Sequence, residues 1–559
     1  FIKKGCFLMI SSRTKSSLFI AGIFSCGLFC SYSAPAAGAL NTSRNAENET
    51  SILSCYDFTT YMQALWSGNT VYQENAVFFE EADGTIKDIS LLYIPGSIVS
   101  VRNFGLDVEY IQGQDFLLNK DGTLCLTENS RIPVMPRTAY CNAADTSTQP
   151  QLLDGGGALI TDNNVISQYY LSITYTHADS WDGVVPQNEI SHLAKVKHKL
   201  ENKEALKIVI CGDSISVGYS TSGLNEQTYR VNGQLTTARI NIAPYMPTWP
   251  HLVAEALKKA YGYDAIEVVN LAIGGTNTNS ACMDDVVQRI LAQSPDLVTI
   301  GFGMNEYWSP AAQHSDRIEA LMDKILAGCP QTEFLLLSSM LPNRMAYSMN
   351  NMNLSAFEKS YYQLQADRSD LSIAIAPVNT VYLHAADAKR DLDLMGGNRN
   401  HPNDFAVRLY AQTIAASLGV YASPVITTEA LVHGSAGTDY AAKLTAIADS
   451  DIHWSVTDGD LPEGLTLHPD GRINGTPKSA GTFSFTVKAS TQTNSTTKGF
   501  SITISPVSAS ESVAESSPIQ SSDAPATGES LIGIWFGVIL AVFIGAAALL
   551  LIFRIKRTA

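Results

Sequence analysis

At 559 residues and a formal net charge of −16, the chain is too long for one core, and too acidic for nucleic acid or anionic lipid as its main partner. Seven basic residues (Lys3, Lys4, Arg13, Lys15, Arg554, Lys556 and Arg557) sit at the two ends, so the part between is more acidic still. Nine cysteines include no Cys-x-x-Cys pair, which leaves a zinc ribbon unsupported, and their disulfide pairing is not legible.

Residues 1–39 run basic, then apolar ("SLFIAGIFSCGLFC"), then small ("APAAGA"). That order reads as a secretory signal peptide cut after Ala37 or Ala39, with Met9 a more ordinary initiator than Phe1. A lipoprotein signal through Cys26 is opposed by the bulky Phe24. Residues 50–190 alternate short apolar runs with glycines, and Asp121-Gly122 is a hairpin turn signal, so the segment reads as an N-terminal β-sandwich. Residues 191–204 read as a charged helical connector.

From 205 to 420 the runs "KIVIC", "AIEVVNLAI", "DLVTIGFG", "EFLLLSSM" and "LSIAIAPV" alternate with helical stretches. Buried strands alternating with helices predict an α/β domain: a parallel sheet covered on both faces, with ligands at the carboxyl ends of the strands. Residues 422–505 return to β, with proline and glycine turns every few residues, as in a small sandwich. Residues 506–530 read as a flexible stalk, 531–553 as a transmembrane helix without a charge, and 554–559 as a basic tail held in the cytoplasm. The protein is thus expected to be exported and displayed on the outer face of the cell. The stretch "APATG" resembles a sortase signal of the LPxTG kind with Ala524 for leucine, so cell-wall attachment and plain membrane anchoring both stay open.

The chemistry gathers at the ends of the core strands. Ser214 follows the first strand in "CGDSI", where such a serine taken alone is more often a helix N-cap. The second strand ends in Gly274-Gly275, which lets a bare N–H approach a ligand, and the third in "GFGMNE", where the Asn305 amide can donate to an oxyanion. His401 stands in the polar loop "GGNRNHPND" before the last helix.

In that order, Ser, Gly, Asn and His resemble the four blocks of the SGNH (GDSL-like) hydrolase superfamily over about residues 205–418. "APYMPTWPHLV", "VVNLAIGGTNT" and "NRNHPNDF" are similar to secreted esterases of the carbohydrate esterase family 2 type. The pattern "LPEGLTL…DGRINGTP" resembles the Ig-like modules of bacterial surface proteins.

The resemblance implies a flavodoxin-like three-layer α/β/α domain with Ser214 as nucleophile and His401 as general base. The Ser214 and Gly275 N–H groups and Asn305 then form the oxyanion hole, with no metal or cofactor. The superfamily's usual aspartate three residues before the histidine is Asn398 here, which implies a dyad oriented by Asn398 or by a backbone carbonyl. Asp393 is a weaker substitute, and Glu306 replaces the usual aspartate after Asn305. Trp249 and Tyr219 are candidates to line an acyl pocket or stack on a sugar ring, with core packing the alternative for Trp249. The expected substrate is an O-acetylated polysaccharide. A lysophospholipase or thioesterase and a non-catalytic glycan-binding protein are the alternatives.

Overall fold

The computed structural model describes residues 57–506 apart from 145–149, 161–165, 225–226, 232–233, 239–241, 449–450 and 492–493. The expected leader at 1–39, the stalk beyond 506 and the apolar span 531–553 lie outside the described residues. Among the described residues no helix is long and apolar enough to cross a membrane. The five described cysteines, Cys125, Cys141, Cys211, Cys282 and Cys329, are all free.

The N-terminal region departs from the expected sandwich. Its main sheet has four antiparallel strands: β1 (Thr70–Ala76), β2 (Pro95–Asn103), β3 (Glu109–Tyr110) and β4 (Leu171–His177), in the order β1-β4-β2-β3. The remaining strands there are two or three residues long and pair only as small ribbons, one of them closing around Gly122 (φ +87°). No second sheet is needed, because the inner face of the first is covered by the α/β domain. Val71, Val101, Ile173 and Tyr175 share one continuous core with Phe405, Leu409 and Tyr382.

In the α/β domain five parallel strands follow: β5 (Leu206–Gly212), β6 (Ile266–Asn270), β7 (Leu297–Gly301), β8 (Glu333–Leu337) and β9 (Ile373–Ala376). Their order, β6-β5-β7-β8-β9, is the doubly wound one, with its switch point between β5 and β7. The two-residue period of a strand sends alternate side chains to opposite faces. Ile208, Ile210, Leu335 and Leu337 meet helices α2 (Trp249–Tyr261) and α7 (Asp404–Ser417). Val209, Ile300, Phe334 and Leu336 meet α3 (Asp284–Leu291), α4 (Ala311–Gly328) and α5 (Leu354–Asp367) on the other face. A short α1 (Ser214–Val217) follows β5, and α6 (Val378–Ala388) follows β9. The 423–505 region forms sheets of four, three and two strands; the larger two enclose a core of Trp454, Ile473, Phe485 and Phe500, while Val425 and Ile447 of the smallest join the α/β core.

Polar ties weld the N-terminal sheet to the α/β domain. Lys389 meets Glu74 with neither side chain exposed, and Glu74 also accepts from the Tyr175 hydroxyl (2.7 Å) and Leu92 N–H (2.9 Å). Glu74→Ala would strand the Lys389 ammonium and is expected to cost about 3–5 kcal/mol in a urea melt. Glu74→Met with Lys389→Met should recover most of that, since no buried charge is then left unpaired.

Candidate active site

Ser214 sits where β5 ends at the switch point. Its turn is stopped by Asp213, whose carboxylate caps α1 by accepting from Ile215 N–H (2.9 Å). The cap is therefore the residue before the serine, and Ser214 N–H has no partner among the described residues. Burial pushes the Asp213 carboxyl up to about 7, and the nearby Glu306 charge adds to this.

His401 Nε2 lies 2.8 Å from Ser214 Oγ, within hydrogen-bond reach for proton transfer. The loop that carries it is pinned by Gly396 N–H on His401 O (3.0 Å) and by Asn403, which caps α7 on Ala406 N–H (3.0 Å). Although the residue is partly exposed, dense protein around the ring and, second to it, the Arg399 charge push the imidazole down to about 4. At neutral pH the ring is uncharged and able to accept a proton.

Gly275 and Asn305 offer two further donors at the ends of the neighbouring strands. Ile273 N–H on Gly212 O (3.0 Å) extends the β5–β6 pairing past the sheet, and this brings Gly274-Gly275 beside the serine turn. Gly275 has φ +79°, a conformation that side chains resist, and its N–H is free among the described residues. Asn305 Nδ2 gives one hydrogen to Thr276 O (2.9 Å), which fixes the amide and leaves the second hydrogen available. Tyr219 stands edge-on to the His401 ring, with centroids 5.6 Å apart. A Cβ on Gly274 would come within 3.2 Å of the Tyr219 hydroxyl, so the two pack closely beside the base.

Three expectations need correction. Trp249 is 1% exposed at the start of α2, whose apolar face, with Leu252, Ala256 and Leu257, turns it into the core rather than toward a substrate. Asn398 makes no hydrogen bond to His401; its amide nitrogen donates to Ile160 O (2.9 Å). Asp393 is occupied by Arg390 (2.9 Å) and Val77 N–H (2.9 Å), so no carboxylate backs the imidazole. Among the described residues His401 Nδ1 has no partner.

Glu306, marked in the sequence only as standing in place of an aspartate, is the centre of a buried network. It accepts from Thr278 N–H (3.0 Å) and Oγ1 (2.7 Å), and from His314 Nδ1 (3.1 Å). Burial works to raise its carboxyl, but the His314 and Thr278 bonds outweigh this and hold it low. The network ties the Gly275 loop to the Asn305 turn. A signal existed: an acid following the strand end, with a histidine one helix turn into α4.

Residues 210–409 match the GDSL-like Lipase/Acylhydrolase family, and residues 423–505 match the family described as "Putative Ig domain". The chain therefore carries a GDSL-like acylhydrolase domain with the SGNH fold, followed by an Ig-like domain. No curated protein matches it. Similar solved structures include a catalytic mutant of an acetylxylan esterase from Geobacillus stearothermophilus, 16% identical (38% of this chain, 94% of that one, TM-score 0.29). A two-domain esterase active on acetylated mannans is 16% identical (55% and 73%, TM-score 0.32). A carbohydrate esterase family 3 protein from Talaromyces cellulolyticus is 14% identical (38% and 96%, TM-score 0.29).

The depressed imidazole sets the pH dependence. Protonation removes the base as pH falls, so the acid limb of kcat/KM on a nitrophenyl ester is expected near pH 4 rather than at the ordinary 6.5. Arg399→Gln removes a repelling charge and should move that limb upward. In the same assay Asn305→Ala is expected to lower kcat about 100-fold with little change in KM.

Proposed function

We propose that the chain is a serine esterase that removes O-acetyl groups from a polysaccharide. The observation that carries the reading is the 2.8 Å contact of Ser214 Oγ with His401 Nε2, beside three unspent donors.

Ser214 Oγ attacks the ester carbonyl while its proton passes to His401 Nε2. The carbonyl oxygen becomes an oxyanion held by Ser214 N–H, Gly275 N–H and the free hydrogen of Asn305 Nδ2. His401 returns the proton to the sugar oxygen as the acyl C–O bond breaks, leaving an acetyl-serine. Water, deprotonated by the same nitrogen, attacks the acetyl carbonyl, and the proton passes to Ser214 Oγ as the acyl–oxygen bond breaks and acetate leaves.

An aromatic ledge supports a sugar substrate. Trp308, three residues after Asn305, is 61% exposed, an uncommon position for so large an apolar ring. It packs edge-on against Tyr307 (4.9 Å), which packs on Tyr347 (5.7 Å), whose hydroxyl accepts from Arg399 Nε (2.7 Å). The ledge links the turn of the oxyanion donor to the loop of the base. Similarity to carbohydrate esterase family 2 and export to the cell surface, with the acidic chain anchored by 531–553, belong to the same proposal.

Hydrolysis of nitrophenyl acetate, butyrate and octanoate tests it. Acetate is expected to be cleaved fastest, with loss of activity in Ser214→Ala, whereas a preference for octanoate would move the assignment to a lysophospholipase or thioesterase. No hydrolysis of these esters or of acetylated polysaccharide would leave a glycan-binding protein. Trp308→Ala is expected to raise KM on acetylated polysaccharide by about tenfold while nitrophenyl acetate turnover stays within about twofold.

A further inference from the structure

We propose that Asn398 ties the catalytic loop to the N-terminal β-domain, which thereby acts as the support that positions His401. The inference rests on the esterase reading for the role of His401, and on hydrogen bonds that cross between the two regions.

Asn398 is fully buried with φ +59°, a conformation that asparagine tolerates better than most residues. Its Nδ2 donates to Ile160 O, 2.9 Å away in the N-terminal region, while its Oδ1 is buried without a partner. Ile160 in turn is held by its own N–H on Tyr140 O (2.8 Å). A flipped amide would press its oxygen against the Ile160 carbonyl, so the donor must face that way.

A second path runs through Asn343. Its Nδ2 donates to the Tyr140 hydroxyl (2.7 Å) and to Asn398 O (2.5 Å), and its N–H donates to Arg399 O (2.8 Å). A third begins at Tyr170, whose hydroxyl donates to Leu392 O (2.9 Å) and to Met395 O at the base of the same loop. Each tie joins the segment just before His401 to a residue between 140 and 170. With Nδ1 of His401 unbonded, the ring takes its position from this loop and from Ser214, and Asn398 is a positioning residue rather than a partner of the imidazole.

Asn398→Asp separates the two roles. An aspartate that oriented the ring would keep or raise activity, as a carboxylate does in a triad. An aspartate facing Ile160 O cannot donate when ionised, and it repels the carbonyl instead.

The test uses the full chain, with kcat on nitrophenyl acetate and the rate of Ser214 labelling by a fluorophosphonate as readouts. At about pH 8, kcat and labelling are expected to fall about tenfold or more, with KM within about twofold. Both should recover toward about pH 5, where a protonated carboxyl again donates to Ile160 O. The other charged groups of the loop region are Arg399 and the pairs Asp391–Arg344 (2.8 Å) and Asp393–Arg390 (2.9 Å). All are present in the wild type, whose pH profile is the control.

Wild-type kcat and labelling in Asn398→Asp at about pH 8 would overturn the proposal. If that variant does not fold, Tyr140→Phe decides, because it keeps the ring and removes one hydroxyl. A severalfold lower labelling rate supports the tie, and an unchanged rate overturns it. Labelling of the wild type without hydrolysis of any acetyl ester would sink the esterase reading alone, and the labelling rates would still judge the tie. A wild type that is not labelled overturns both.

Discussion

The candidate site turns on one hydrogen bond, 2.8 Å long, between side chains 187 positions apart. Proton transfer tolerates little error in such a distance, so both ends must be held by rigid elements. The Ser214 end is set by β5 in the middle of the sheet and by the Asp213 cap. The His401 end has no strand under it. Its loop is held by the cap of α7 and by ties into the N-terminal region, and the extra domain is in place to supply them.

The charges around the site are arranged to leave the imidazole neutral. Every carboxylate within the site's framework is engaged elsewhere: Glu306 on Thr278 and His314, Asp393 on Arg390, and Asp404 on the Ser222 hydroxyl (2.6 Å) and N–H (2.9 Å). The charge that acts on the ring is the positive Arg399. In the proposed mechanism such a base takes a proton only while the oxyanion is forming, so the three donors would carry the stabilisation that a triad shares with its aspartate.

The two β-regions stand in different relations to the acylhydrolase domain. The N-terminal sheet shares its core, and the buried Lys389–Glu74 pair fixes how the two meet. The Ig-like domain has a core of its own, but its Val425 and Ile447 pack into the core of the acylhydrolase domain, and Lys259–Glu429 (3.0 Å) and Thr59–Thr427 (2.6 Å) also cross to it.

The alternation of apolar runs with helices was enough to read the parallel sheet, because strands buried on both faces leave continuous Val, Ile and Leu runs. The four chemical residues were legible for a related reason: Ser214, Gly275 and Asn305 directly follow strands, and His401 precedes a capped helix, so local order already implies a shared edge. The N-terminal region was misread as a sandwich because turn signals and short β runs do not say what covers a sheet. Trp249 was ambiguous because "PTWP", two prolines around it, shows no period of its own, and the tryptophan becomes core only through the face of α2. The sequence by itself determined the fold class of the α/β domain and marked Ser214, His401, Gly275 and Asn305 as candidates, since each follows from local pattern and order along the chain. Only the tertiary structure decided that Asn398 reaches Ile160 rather than His401, and that Glu306 braces two loops. Those are contacts between residues 238 and 28 positions apart, and no local preference specifies them.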